Sequence, residues 1–490
     1  MNQTDKEARL NERDLPLVSA LKKGRQRHSF HMPANRAGQS FSAAFRTLLT
    51  ELDTTELATT GDINQPDGVV LEALRVAARA FGAARTYFIT SGTTNSLRIA
   101  LATAFREGDR VLLAKGSHLS IANSCALLGL EAVFIRQDEL PRFPDGQVSE
   151  AEVLRSLEEE EDLAGVLLTT PGYYGENLTL EKICKVAHAK NIPVLIDAAH
   201  GAHFAIKVEA PVLAEKSWPR TALAQGADLV AQSAHKTLPA LTPASLLHLS
   251  QGAIDSGRIS PTRLAKMLPV FQTSSPSFPI AASLDYARDF LEHDAPSYVA
   301  RLLESIADFE AQLPQEIHRD YVDGDDPCRL VLDYSDTACS RQKLMEILDF
   351  HQVDVELIDA RRMVCIPALD TPRSSFNALA EACREIAQVE AGGQSQTAAD
   401  LAQRKAFLRQ EGSSFKIREN FFAESEEIEF QDALGRRSAA MIAPYPPGVP
   451  LLWPGEEITE ADISLWQELL SLAYDIRGLK SGKVEVLAEE

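Results

Sequence analysis

The chain has 490 residues, 45% hydrophobic and 24% charged, with a formal net charge of −21, which is the composition of a soluble multi-domain protein with a large core. So acidic a chain lacks the basic footprint that nonspecific nucleic-acid or anionic-membrane binding needs, so neither partner is expected. No run of about 18 apolar residues occurs, the charged start Met1-Asn2-Gln3-Thr4-Asp5-Lys6-Glu7 has no signal core, and six scattered cysteines without a C-x-x-C pair exclude a zinc site or disulfide framework, all of which fits the cytoplasm.

In chain order, residues 1 to about 60 read as an arm, with a short helical pattern through Leu15, Leu17, Val18 and Leu21 before a turn at His31-Met32-Pro33. Val69, Val70, Ala73, Leu74, Ala77 and Phe81 then fall at helical spacing. Beyond them, strand-like runs alternate with helical ones: Tyr87–Ile89, Val111–Leu113, Ala132–Ile135, Val166–Leu168, Val194–Ile196, Leu229–Ala231 and Ser245–His248. This alternation predicts a mostly parallel sheet covered on both faces, forming a large domain over 61–300. A smaller α/β domain is expected over 301–490, with strands at Arg329–Leu332, Asp354–Leu357 and Met363–Ile366 and a linker near 390–400.

Three stretches carry chemistry. Thr90-Ser91-Gly92-Thr93-Thr94-Asn95-Ser96 is a small-residue turn from a strand into a helix, suited to a phosphate. Asp197 ends the run Ile192-Pro193-Val194-Leu195-Ile196, on the crevice side of an open α/β sheet; it suits either a helix N-cap or the protonated ring nitrogen of a pyridoxal phosphate (PLP) cofactor. Lys236, in Ser233-Ala234-His235-Lys236-Thr237-Leu238-Pro239, comes after the apolar run Asp228-Leu229-Val230-Ala231, where a PLP Schiff base would sit.

These stretches, with Phe30-His31-Met32-Pro33, Gly116-Ser117-His118-Leu119-Ser120, Pro171-Gly172-Tyr173-Tyr174-Gly175, Asp197-Ala198-Ala199-His200-Gly201-Ala202-His203, Thr273-Ser274-Ser275-Pro276-Ser277 and Pro444-Tyr445-Pro446-Pro447-Gly448, make the chain resemble the bacterial ornithine/lysine/arginine decarboxylases. The resemblance implies an α/β fold of PLP fold type I: an aspartate-aminotransferase-like large domain plus a smaller C-terminal α/β domain. It implies decarboxylation of lysine, ornithine or arginine to a diamine or agmatine through an external aldimine and a quinonoid. An aminotransferase or lyase of the same fold, or a catalytically weak binding paralogue, are the alternatives. By the same resemblance Lys236 holds the cofactor, Asp197 its ring nitrogen and His118 stacks on its face. His200 or His235 positions the substrate carboxylate or reprotonates Cα. Gly92, Thr93, Thr94 and Ser233, with His235, hold the phosphate, and Thr273, Ser274 and Ser275 reach the phosphate of a neighbouring subunit, so that a homodimer or higher homo-oligomer shares its sites. No metal is implied. Tyr174, Glu176 and Glu456 are candidates to meet the substrate. The chain lacks the family's receiver-like N-terminal domain, which argues against a large ring assembly. Two departures bear on how substrate is oriented: Pro33-Ala34-Asn35-Arg36-Ala37-Gly38 replaces the usual Pro-Gly-His-Lys-Gly-Gly, and Asn64 stands in place of a histidine.

Overall fold

The structure, a computed structural model, describes residues 16–209, 217–390, 397–409, 414–445 and 448–488. The polar start, most of the expected 390–400 linker, and Pro446 and Pro447 lie outside the described residues. In chain order the first strands are His28–Phe30 (β1), Arg85–Ile89 (β2), Arg110–Leu113 (β3), Glu131–Phe134 (β4), Leu163–Thr169 (β5), Val194–Asp197 (β6), Leu229–Ser233 (β7) and Ser245–Leu249 (β8). All but β1 join Ser414–Lys416 in an eight-stranded sheet, ordered (Ser414–Lys416)-β4-β3-β5-β6-β7-β8-β2. The stretch from β4 to β7 is parallel; Ser414–Lys416 and β8 run against it, and β2, paired antiparallel to β8, runs with it.

The parallel strands are continuous apolar runs because helices cover both faces. Their period of two splits the side chains: Val111, Leu113, Leu167, Leu195 and Leu229 enter one core layer, while Leu112, Val166, Leu168, Val194 and Ile196 enter the other. The chain passes from β3 outward to β4, then crosses back to β5 on the other side of β3. This reversal opens a crevice at the carboxyl ends of the strands, the place where doubly wound sheets bind ligands.

The smaller α/β region has strands His318–Arg319 (β9), Leu330–Asp333 (β10), Val353–Val355 (β11), Leu357–Ile358 (β12) and Arg362–Cys365 (β13). Four of them form the antiparallel sheet β12-β13-β10-β9, backed by the helices Ala295–Glu310, Arg341–Phe350 and Arg373–Ala387. The arm is built into this region: β1 pairs in parallel with β11, and Phe30 meets Phe376 edge-on at 5.3 Å. The single strand expected over Asp354–Leu357 is split in two at Glu356, whose carboxylate accepts the Met32 N–H at 2.9 Å. Further on, the fully buried Trp453 and Trp466 anchor the last part of the chain, and the Gly448 carbonyl accepts the Leu119 N–H at 3.4 Å. That contact brings Gly448 to the turn that carries His118.

Candidate active site

The carboxyl ends of β3, β5, β6 and β7 and the turn after β2 enclose a cleft of about 300 Å³. Gly92, Thr93, Thr94, His118, Asp197, His200, Ser233, His235 and Lys236 all line it. Ser275 does not: it sits on an exposed turn, its N–H donating to Thr273 Oγ1 at 3.2 Å.

Lys236 rides on the one-turn helix Ala234–Thr237 directly after β7, and its Nζ lies 2.9 Å from His200 Nε2. Burial lowers its pKa and Arg329 adds to that, against the pull of Asp197 and Glu356. Asp197 closes β6 and is 3% exposed, its Oδ1 accepting the Ala199 N–H at 3.1 Å. Burial raises its pKa, while Lys236 and that N–H oppose the rise. An acid with one short donor and a neighbouring lysine is poised to take a further N–H from a ligand.

His118 caps the helix Leu119–Leu128, its Nδ1 accepting the Ser120 N–H at 3.1 Å. The ring stands open to the cleft, and desolvation, with the charge of Arg477 adding to it, lowers its pKa. A neutral ring of this kind offers a flat face for stacking. His235 Nδ1 is 2.8 Å from the Ala244 carbonyl, so this nitrogen carries the proton; burial takes its pKa down to about 4 despite that bond.

At the start of the helix Thr93–Ala104, Gly92 has φ +90°, which a side chain rarely adopts. Thr93 Oγ1 bonds Ser233 Oγ at 2.5 Å and Ser245 Oγ at 2.9 Å, locking the turn to β7 and β8. Ser91 Oγ is buried and meets no partner, although buried hydroxyls are ordinarily bonded. An orphaned hydroxyl at a helix N-terminus fits a phosphate, and with a lysine amine and a strand-end carboxylate in the same cleft the donor set fits pyridoxal phosphate.

Three residues of this site escape a reading of local motifs. Arg329 is 2% exposed and donates to the Tyr173 carbonyl at 2.6 Å and to His200 Nδ1 at 3.3 Å. Tyr173 lines the cleft, edge-on to His200 at 5.1 Å, and its hydroxyl bonds Glu356. Arg329 and Glu356 flank the short strands β10 and β12; their only sequence signal is a charged residue at the edge of an apolar run. The residues expected to meet substrate behave otherwise. Tyr174 turns into the core, stacked on Phe143 at 4.7 Å and bonded to Asp359 at 2.7 Å. Glu456 is taken by Lys115 at 2.7 Å. Glu176 lies behind the cleft wall, facing Asp145. The altered arm residues serve docking. The Ala34 N–H donates to the His235 carbonyl at 2.9 Å, and Asn35 Nδ2 donates to the Ala240 carbonyl at 2.9 Å. Asn64 bonds the Thr273 carbonyl and Gln272 at 2.9 and 3.1 Å.

Asp145 Oδ1 and both carboxyl oxygens of Glu176 are sealed from solvent without a donor. Burial and Asp145 together hold the Glu176 carboxyl well above the usual carboxylate range, which favours its protonated form. Because the folded state raises this pKa, the stability it confers is complete below the unfolded value and declines as pH rises toward the folded one. Glu176→Gln, isosteric with the acid and free of that titration, is expected to unfold at a higher temperature than wild type by roughly 2 °C or more at pH 8. The gap should shrink toward about pH 5; parallel melting curves across that range in scanning calorimetry would contradict the raised Glu176 carboxyl.

The family model for the major domain of Orn/Lys/Arg decarboxylases matches residues 15–365, and that for the C-terminal domain matches residues 406–477. The chain belongs to this family. The decarboxylase is 33% identical to the uncharacterized protein YaaO of Bacillus subtilis over 97% of this chain and 99% of that one. It is 26% identical to an arginine decarboxylase of Bacillus anthracis over 98% of both chains. Its fold matches the constitutive lysine decarboxylase of Escherichia coli with a TM-score of 0.72 at 19% identity, over 96% of this chain and 82% of that one. The decarboxylase is thus a fold-type-I enzyme whose cofactor is pyridoxal phosphate. No helix among the described residues is long and apolar enough to cross a membrane.

Proposed function

We propose that the chain removes the α-carboxylate of lysine, ornithine or arginine, giving the diamine or agmatine, with Lys236 as the residue that holds the cofactor. The observation that carries this reading is the lysine–imidazole contact of 2.9 Å in the same cleft as a strand-end aspartate only 3% exposed. When bound, pyridoxal phosphate supplies the electron sink that accepts the pair left as CO₂ departs.

Each side chain has work to do around that chemistry. Asp197 keeps a proton on the pyridine nitrogen, since a carboxylate there favours the cation. His118, neutral and fixed by Ser120, packs its ring on the cofactor's face. The Ser91 hydroxyl and the N–H groups at the start of Thr93–Ala104 hold the phosphate, with Thr93 held in place by Ser233. One solvent proton, taken up and passed on by way of Lys236 and His200, replaces the lost carboxylate on the α-carbon. Tyr173 lines the cleft, its hydroxyl held by Glu356, which also accepts the arm amide of Met32. His235, its Nδ1 proton committed to Ala244, keeps a free acceptor at Nε2.

The same reading takes the protein to be a cytoplasmic homodimer or larger homo-oligomer that feeds polyamine synthesis. Its support is the hydroxyl-rich turn Thr273-Ser274-Ser275, exposed on its own chain, and six buried cysteines, all reduced. Reaction in D₂O tests the chemistry directly. Replacement of the carboxylate by one solvent proton gives an amine carrying one deuterium at the former α-carbon. A keto acid in place of the amine would mean amino transfer and would refute the reading.

A further inference from the structure

We propose that Arg329 fixes the tautomer of His200, so that the imidazole donates its Nε2 proton to Lys236 and holds that lysine as an uncharged amine. This positioning role rests on Lys236 being the cofactor's lysine, and it falls to a residue outside the large sheet.

Donors and acceptors decide the tautomer. A guanidinium has N–H donors and no acceptor, and a neutral imidazole has one of each. Arg329 Nη2 aims an N–H at His200 Nδ1 from 3.3 Å, so Nδ1 is the acceptor and the ring proton resides on Nε2. That nitrogen faces Lys236 Nζ at 2.9 Å. An ammonium has three donors and no lone pair, so it would oppose donor to donor; an amine accepts. A protonated imidazole is excluded because Arg329 would then face an N–H at Nδ1. The consistent chain is therefore guanidinium to imidazole to amine. The proton that Lys236 gives up passes to the water of the open cleft. An uncharged amine is the form that attacks a carbonyl carbon.

Arg329 is held for this purpose from several sides. Its Nη1 donates to the Tyr173 carbonyl at 2.6 Å. Asp326 Oδ2 lies 3.8 Å from Nη2, and Asp326 Oδ1 is itself bonded by His203 Nε2 at 3.0 Å. Gly175, at φ +97°, makes room for the arginine stem: a Cβ there would stand 2.9 Å from Arg329 Cβ and Cγ. The planar fork reaches the Tyr173 carbonyl and His200 at once, which the single ammonium of a lysine does not match. Of the charged and titratable groups facing Lys236, Asp197 and Glu356 favour the ammonium, whereas burial and Arg329 disfavour it. His118 and His235 are neutral, their Nδ1 atoms committed to Ser120 and Ala244. Burial and Arg329 also hold His200 well below the usual imidazole range.

Two measurements on the full-length chain decide it without an activity assay. Pulse acetylation of the cofactor-free chain with acetic anhydride across a pH series, read by mass spectrometry at Lys236, gives the titration of that amine. In Arg329→Met it should move up by about one pH unit or more, a roughly tenfold loss of labelling at a fixed pH below it, and Arg329→Lys, which keeps the charge, should recover part of the shift. Nitrogen-15 spectra of histidine-labelled chain, with His200 assigned through His200→Asn, should show its proton on Nε2. A wild-type His200 protonated on Nδ1, or a Lys236 titration unmoved in Arg329→Met, overturns the proposal. If Arg329→Met does not fold, the wild-type nitrogen spectrum decides alone. Failure of Lys236 to bind pyridoxal phosphate would instead strike the functional reading and leave these two readouts intact.

Discussion

Lys236→Ala should lower kcat by roughly 10,000-fold or more, the scale of removing a covalent nucleophile, while leaving the fold in place. The lysine sits on a single helical turn whose neighbours Ala234 and Thr237 are buried and whose amine faces the cleft. Truncation there opens no sealed cavity, because water fills the space, and alanine is the best helix former. The variant also sheds a buried polar amine, so its melting temperature should match or exceed that of wild type. Borohydride reduction and then peptide mapping should find the cofactor on Lys236 in wild type and on no peptide of the variant. A rate within tenfold of wild type would dismiss Lys236 as the residue that carries the chemistry.

The second large effect is at the end of β6. Asp197→Asn keeps the volume and the bond from the Ala199 N–H but removes the charge that holds a proton on the ring nitrogen. The expected loss is about 1,000-fold in kcat, equivalent to about 4 kcal/mol of transition-state stabilisation, with KM changed little because the role proposed for Asp197 is toward the cofactor's ring nitrogen. The visible absorbance of the bound cofactor should shift as its ring loses the proton. A kcat within tenfold of wild type would mean that Asp197 serves the helix turn alone.

Much of this site is legible in the sequence because it sits at the ends of apolar runs. Val194-Leu195-Ile196 and Leu229-Val230-Ala231 leave no choice of secondary structure other than buried strands, and a residue at the carboxyl end of a buried parallel strand faces the crevice. Asp197, Lys236 and the Gly92-Thr93-Thr94 turn are therefore readable from position. Arg329, Tyr173 and Glu356 are not, because Arg329 and Glu356 come from the smaller α/β region and meet the cleft only through the lining residues Tyr173 and His200. Tyr173 and Tyr174 differ by one position in a turn held between Gly172 and Gly175, and neighbours in such a turn face opposite ways. The first lines the cleft and the second stacks on Phe143. The departures at Ala34, Asn35 and Asn64 read in the sequence as changes near the substrate. In the structure they are buried and bonded largely to backbone carbonyls and amides, which places them where the arm docks on its own chain.

The most direct measurement is labelled CO₂ release by the full-length chain loaded with pyridoxal phosphate and given arginine, lysine and ornithine, each carrying ¹³C in the α-carboxyl group, in separate vessels. A basic amino-acid decarboxylase returns ¹³CO₂ from at least one of them, with an equal amount of the matching amine and with nothing above background from Lys236→Ala. Cofactor bound at Lys236 with no labelled CO₂ from any of the three would contradict the assignment.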